Sequence, residues 1–183
     1  MDVERRRGLV ALVWGFAEAT LFFVVPDVLL SFYAARDRRS ALRACFWAFA
    51  GAVTGGVVLW TLGRVEPAAV ERVLRGVPQV DAAAIARVHG EIERLGPTAV
   101  ALGPLSATPY KIYAAAAGAS GVALGWLLLA SVPARLGRFL LVTAVAGWLF
   151  AGPLARLSPG RRALLLTGFW IAVYALLWAL VWG

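Results

Sequence analysis

The chain has 183 residues, 61% of them hydrophobic, with a mean hydropathy of +0.78 and a formal net charge of +8. So apolar a composition excludes an ordinary soluble domain, whose helices keep one wet face. The single cysteine, Cys45, excludes an intrachain disulfide and a CxxC metal pair and reads as an inert packing residue.

The positive charge does not mark a nucleic-acid surface, because the basic residues form no continuous patch. Arg5, Arg6 and Arg7 open the chain, Arg36, Arg38, Arg39 and Arg43 follow the first apolar run, and Arg156, Arg161 and Arg162 share a later loop. Clusters that flank apolar runs are topology signals and contacts for anionic lipid heads. Trp47, Trp60, Trp126, Trp148 and Trp182 fall near the ends of such runs, where amphipathic rings favour the interface. The sequence therefore reads as an all-α, polytopic membrane protein, one membrane domain over residues 1–183.

The N-terminus, "MDVERRRGLVALVWGFAEATLFF", has the basic-then-apolar order of a signal peptide. Glu18 interrupts its apolar part, and Pro26 and Asp27 follow where a small-residue cleavage site belongs, so it is expected to be retained. Residues 8–35 are long for one span and are broken at Pro26-Asp27. A single crossing would put the two basic clusters on opposite faces. A re-entrant hairpin returns both to the cytoplasmic face and keeps the Pro-Asp turn inside protein.

Residues 44–62 form a transmembrane span in which Gly51, Gly55 and Gly56 allow close helix contact. Residues 64–96 are an amphipathic linker. Val80, Ala84, Ile85, Val88, Ile92 and Leu95 make one helical stripe, and Arg87 and Glu91 are expected to pair one turn apart on the wetter face. His89, the only histidine, flanks the stripe with no ligand set around it, so no metal is expected.

Residues 97–121 form a second interrupted segment, with Pro97, Pro104 and Pro109 breaking it, Lys111 after the last proline, and a small-residue arm from Ala114 to Gly118. A second re-entrant hairpin is expected, with Pro26, Pro104 and Pro109 as hairpin breaks. Transmembrane spans follow over residues 125–150, which contain Pro133, Arg135 and Arg138, and over residues 163–181. Hairpin, span, linker, hairpin, span and an added span have the order of an inverted-repeat transporter.

Five ionisable residues lie in apolar segments: Glu18, Asp27, Lys111, Arg135 and Arg138. Each would cost about 2.5–3.5 kcal/mol at the membrane centre. They must pair, snorkel to the interface or face a wet cavity. Mutual neutralisation as structural staples is one reading, and interfacial anchoring of Arg135 and Arg138 is another. Broken helices, however, leave unpaired amides that attract anions, so bases beside them make a pocket for a phosphate or carboxylate. Desolvation favours protonated carboxylates and neighbouring cations favour ionised ones. The sequence leaves that balance open, and in the first case Glu18 and Asp27 are proton carriers.

"GFAEATLFFVVPDVLL" resembles the first re-entrant motif of the DedA family, also called the SNARE-associated or VTT-domain family, in which a glutamate precedes a proline-acid pair. "ATPYKIYAAAAGASG" is similar to its second motif, and "PARLGRF" to the paired basic residues of its smaller bacterial members. The resemblance covers residues 13–150. It implies two opposed re-entrant hairpins and proton-linked translocation of lipid phosphates, such as undecaprenyl phosphate, or of phospholipids, in a bacterial inner membrane. Glu18 and Asp27 match the family's acidic pair, and Lys111 matches a basic residue that is usually arginine. Leu105 stands where larger members carry a further arginine.

The expected function is a flippase that moves an anionic lipid phosphate between leaflets, with Lys111, Arg135 and Arg138 as head-group residues and Glu18 and Asp27 as proton-coupling residues. The expected partners are an anionic membrane lipid and protons, with no nucleic acid and no cofactor. Homo-oligomerisation is left open, and the N-terminus is expected on the cytoplasmic side. The alternatives are a proton-coupled exporter of cationic or amphipathic compounds and a non-transporting assembly protein. No GxSxG, HExxH, Walker A or cysteine-phosphatase loop is present, so no enzyme is expected and no residue is assigned a catalytic role.

Overall fold

A computed structural model describes residues 3–103 and 108–182, and every regular element among them is helical. The first helix, α1 (Val3–Thr20), ends where the amides of Leu21 and Phe22 both donate to the Ala17 carbonyl, at 2.8 and 2.7 Å. After a loop over 21–25, α2 (Pro26–Ala34) begins with Pro26 in its first turn, where a missing N–H costs nothing. Asp27 beside it faces the positive end of the helix dipole. The Pro-Asp pair thus starts a helix after the break.

The chain doubles back through this break, and its two ends meet. Arg43 reaches Glu4 at 2.5 Å, and Arg7 donates to Ser40 Oγ at 3.1 Å and lies 3.9 Å from Asp37. Asp37 also caps the next helix by accepting from the amides of Arg39 and Ser40. Both basic clusters therefore end on one side of the molecule.

The helix so capped, α3 (Arg38–Val65), has 28 residues and runs about 42 Å through the middle of the fold. Its glycines divide between two partners. A Cβ on Gly51 would run into the Leu12 carbonyl of α1, and one on Gly15 would strike the Ala48 carbonyl of α3. Further along, Gly63 and Ala115 are in the same relation, as are Gly118 and Trp60. Gly56 instead leaves room for the Tyr110 ring. One helix is in backbone contact with α1 in its first half and with a later small-residue helix in its second.

The linker folds into α4 (Pro67–Leu74) and α5 (Ala82–Leu95), the latter capped by Asp81, whose carboxylate accepts from the Ala84 amide at 2.6 Å. Val80, Ala84, Ile85, Val88 and Ile92 are buried as the stripe requires, while Leu95 is 47% exposed. Arg87 and Glu91 look away from each other: Arg87 donates to Thr108 at 3.4 Å and Glu91 accepts from the Tyr113 hydroxyl at 2.5 Å. His89 sits 3.2 Å from Glu71, which ties α5 to α4.

A short helix, α6 (Thr98–Leu102), precedes α7 (Tyr110–Ala119), in which every residue from Tyr110 to Gly118 is buried. Pro104, an expected hairpin break, and Leu105 lie outside the described residues; Pro109 stands immediately before α7. The next helix is continuous over 28 residues but changes character midway. It comprises α8 (Leu124–Ser131), a π-helical segment over Val132–Gly137, and α9 (Arg138–Ala151). Pro133 accounts for the widened turns: it has no N–H, and its ring would clash with the carbonyl four residues back in a regular α-helix.

The last helix, α10 (Pro159–Trp182), touches the body along α2, the loop before α2 and Phe150 of α9, and leaves most of its other residues exposed. Tyr174 accepts from the Val25 amide at 2.9 Å and Trp170 donates to Ser31 at 3.0 Å. Among the described residues three helices are long and apolar enough to cross a membrane: Arg38–Val65, Leu124–Ala151 and Pro159–Leu180.

Candidate functional site

Five charges, four of them buried, lie where the first break, the start of α7 and the π-helical segment meet. Glu18 comes from the last turn of α1, Asp27 from the first turn of α2, and Lys111 from the first turn of α7. Arg135 belongs to the π segment and Arg138 opens α9. Residues spread over 120 positions of sequence thus form two ion pairs, Glu18 with Arg135 and Asp27 with Arg138, and Lys111 adjoins them through the loop that carries Phe22 and through its neighbour Tyr110.

The acids and arginines match one to one. Arg135 forks onto Glu18, with Nη1 3.3 Å from Oε1 and Nη2 bonded to Oε2, the planar two-point geometry that guanidinium and carboxylate favour. Its charge is sandwiched by rings: the guanidinium carbon lies 5.0 Å from the centre of Tyr110 and 5.1 Å from that of Phe139. Arg138 Nη2 lies 2.9 Å from Asp27 Oδ2, a close ion pair whose angles do not make a hydrogen bond. Among the described residues, Asp27 Oδ1, Arg135 Nε, and Arg138 Nε and Nη2 have no hydrogen-bond partner. Such orphaned atoms are costly in a dry surrounding and are what an incoming polar ligand would satisfy.

Lys111 differs from the two arginines. Its ammonium donates to the carbonyl of Phe22 at 2.7 Å, in the loop between α1 and α2. Among the described residues it has no carboxylate within ion-pair distance. Lys111 has three donors to offer, so the contact with Phe22 leaves charge and hydrogen-bonding capacity in hand. Three bases against two acids leave one formal positive charge in the cluster.

Arg135 is fully enclosed, while Arg138 keeps about a third of its side chain exposed, 30%. Both point into the protein toward the acids. Glu18, Asp27, Lys111 and Arg135 are all buried, so Arg138 is the one member of the set that reaches the surface.

Several members escape sequence reasoning. Tyr110 stacks on Arg135 and exchanges a 2.7 Å hydrogen bond with Ser131, which itself donates to the Leu127 carbonyl. Trp14 donates to the Val24 carbonyl at 2.9 Å and Tyr174 accepts from Val25, so the loop that holds Phe22 is pinned from both sides. Tyr110 beside Lys111 in "TPYKIY" was the available signal, since a buried tyrosine needs a partner for its hydroxyl. The π-helical turn could be anticipated only from Pro133 lying two residues before Arg135. Cys45, by contrast, is a packing residue whose thiol sits 3.1 Å from Thr143 and joins α3 to α9. Among the described residues no set of three His, Cys, Asp or Glu side chains converges as metal ligands.

No family model matches the chain, and no solved structure matches it. A protein of Haemophilus influenzae strain Rd, described as uncharacterized, is 29% identical to it over 133 residues, 73% of this chain and 68% of that protein.

Proposed function

We propose that the protein is a proton-linked membrane carrier that moves an anionic lipid phosphate between leaflets, as its resemblance to the DedA family implies. The three long apolar helices would cross a bacterial inner membrane, with the two broken segments as re-entrant hairpins and the N-terminus on the cytoplasmic side. The observation that carries the reading is the buried charge balance: each acid is matched by an arginine, and Lys111 is left over with only a carbonyl as partner. An anion, a phosphate among them, is the ligand that a largely buried set with one surplus cation would favour.

The pairing also offers a route for coupling. A phosphate presents the same two-point acceptor to a guanidinium as a carboxylate does. An entering head group attracted by Lys111 would take over Arg138 and then Arg135, releasing Asp27 and Glu18. An ionised carboxylate left in that surrounding without its guanidinium costs several kcal/mol, and uptake of a proton removes the cost. Anion binding and proton uptake then go together. A cation exporter would instead have to pull the carboxylates from their arginines and leave an uncompensated positive cluster. No catalytic group is assigned in this reading.

The test is leaflet exchange of a fluorescent lipid phosphate in liposomes, comparing the native chain with Lys111→Ala and Glu18→Gln. Exchange that rises with an imposed proton gradient and falls at least about tenfold in both variants is expected, since each loses one charge-assisted contact. Exchange no faster than in empty liposomes, for folded protein across several anionic lipids, would overturn the proposal.

A further inference from the structure

Away from the charge cluster, the C-terminal end of α2 and the first turns of α10 enclose a groove of about 250 Å³, lined by Phe32, Ala35, Arg36, Arg162, Ala163 and Leu166. Its composition is divided. Arg36 and Arg162 stand at one end of the lining, while Phe32, Ala163 and Leu166 supply apolar surface. It shares no residue with the Glu18–Arg135 cluster.

Arg162 builds the groove. Its Nε donates to the Leu157 carbonyl at 3.0 Å, Nη1 to Ala35 at 2.9 Å and Nη2 to Ala155 at 2.6 Å. It thereby ties the end of α2 to the turn before α10 and uses three of its five N–H donors, with its charge uncancelled by any carboxylate. Arg36 is exposed, and no ion pair engages it among the described residues. Arg156 and Arg161 add charge on the same turn, both exposed. Around Arg156, Arg161 and Arg162 the sequence offers no counter-charge, because every acidic residue of the chain lies at or before Glu93, while Asp37, next to Arg36, is engaged in capping α3 and lies 3.9 Å from Arg7. The amide end of α10, which opens at Pro159, adds to the positive potential.

We propose that this groove is a docking site for an anionic phospholipid of the surrounding leaflet, with its phosphate on Arg36 and the remaining donors of Arg162 and an acyl chain along Phe32, Ala163 and Leu166. Charge complementarity selects the occupant: an uncompensated arginine cluster at the head of an apolar groove fits a molecule that is anionic at one end and apolar at the other. A zwitterionic lipid would bring its own cation to the arginines, and free phosphate would leave the apolar half empty. Seated there, the lipid adds to the Arg162–Ala35 contact that already joins α2 to α10.

Native mass spectrometry of the full chain in detergent, with phosphatidylglycerol or phosphatidylcholine of the same chain length added, tests the site. Phosphatidylglycerol is expected to be retained more strongly. Arg36→Gln, which removes the charge, and Ala163→Phe, which fills the apolar half, should each lower its affinity about fivefold and leave phosphatidylcholine unchanged. A phosphatidylglycerol carrying a photoreactive acyl chain should label Phe32, Ala163 or Leu166. Equal retention of the two lipids, unchanged retention in both folded variants, displacement by inorganic phosphate alone, or label spread evenly around α10 would each overturn the proposal. Since Arg36 and Ala163 take no part in the transport cluster, failure here leaves the carrier reading standing, and failure of exchange leaves this site standing.

Discussion

Arg135 and Glu18, 117 positions apart in sequence, share a two-point contact in the interior, their side chains 2% and 6% exposed. The pair joins the end of α1 to the π-helical segment between α8 and α9, and the rings of Tyr110 and Phe139 exclude water from its sides. Taking away one partner strands the other as a buried charge, which in protein interiors costs about 3–5 kcal/mol. Replacing both by apolar groups of similar volume removes that cost.

Glu18→Gln is therefore expected to lower the melting temperature in detergent by the equivalent of about 3–5 kcal/mol. Glu18→Leu combined with Arg135→Met should recover most of the loss while exchange of lipid phosphate stays absent. A double variant no more stable than Glu18→Gln would refute the account that the cost lies in the stranded partner charge.

Asp27→Asn should cost less than Glu18→Gln, about 1–3 kcal/mol. The partner Arg138 is 30% exposed and can turn toward water, and Asp27 Oδ1 already lacks a hydrogen bond. The same melts decide it: a loss equal to that of Glu18→Gln would mean Arg138 is as trapped as Arg135.

Gly51→Ala is expected to destabilise by about 1–3 kcal/mol or more, because the new methyl meets the Leu12 carbonyl and two backbones must part. Gly90→Ala, in α5 with nothing within 4 Å of its Cβ position, should instead stabilise by about 0.5–1 kcal/mol. Opposite signs for one chemical change are the signature sought, and equal effects would contradict the packing described.

Pro133→Ala restores a backbone N–H and removes the ring that forces the wide turns. A return to regular α-helix would rotate Arg135 away from Glu18 relative to α8. The expected result is unchanged helix content by circular dichroism with exchange reduced to the level of Glu18→Gln. Full exchange in this variant would show that the π-helical turn is not needed to aim the arginines.

Tyr174→Phe removes one hydrogen bond, worth about 0.5–1.5 kcal/mol, that fixes the loop carrying Phe22. Amide hydrogen exchange at Val25 should accelerate roughly fivefold or more, with α3 amides unaffected. Unchanged protection at Val25 would mean that α10 does not restrain the loop.

Much of this fold was legible in the sequence because lipid-scale apolar runs and breaks are local signals. The long helices, the interruption at Pro26-Asp27 and the buried stripe of α5 follow from run length, proline chemistry and helical period, which need no knowledge of partners. Polar residues in apolar runs were legible for the same reason: an ionised side chain there must find compensation, so Glu18, Asp27, Lys111, Arg135 and Arg138 stood out as a set.

Which of them compensates which was decided only by the tertiary structure. Two acids and three bases admit several pairings of equal merit on paper, and the choice rests on where helix ends come together. Glycine contacts set how closely α1 and α7 approach α3, and Pro133 sets the phase of Arg135 and Arg138 by opening a π-helical turn. Arg87 and Glu91 illustrate the same limit: one turn apart on a helix, they look like a pair, yet Tyr113 and Thr108 offer each a partner from a neighbouring segment. Charge and hydropathy act through the chain's own order, whereas pairing acts through distances that only packing creates.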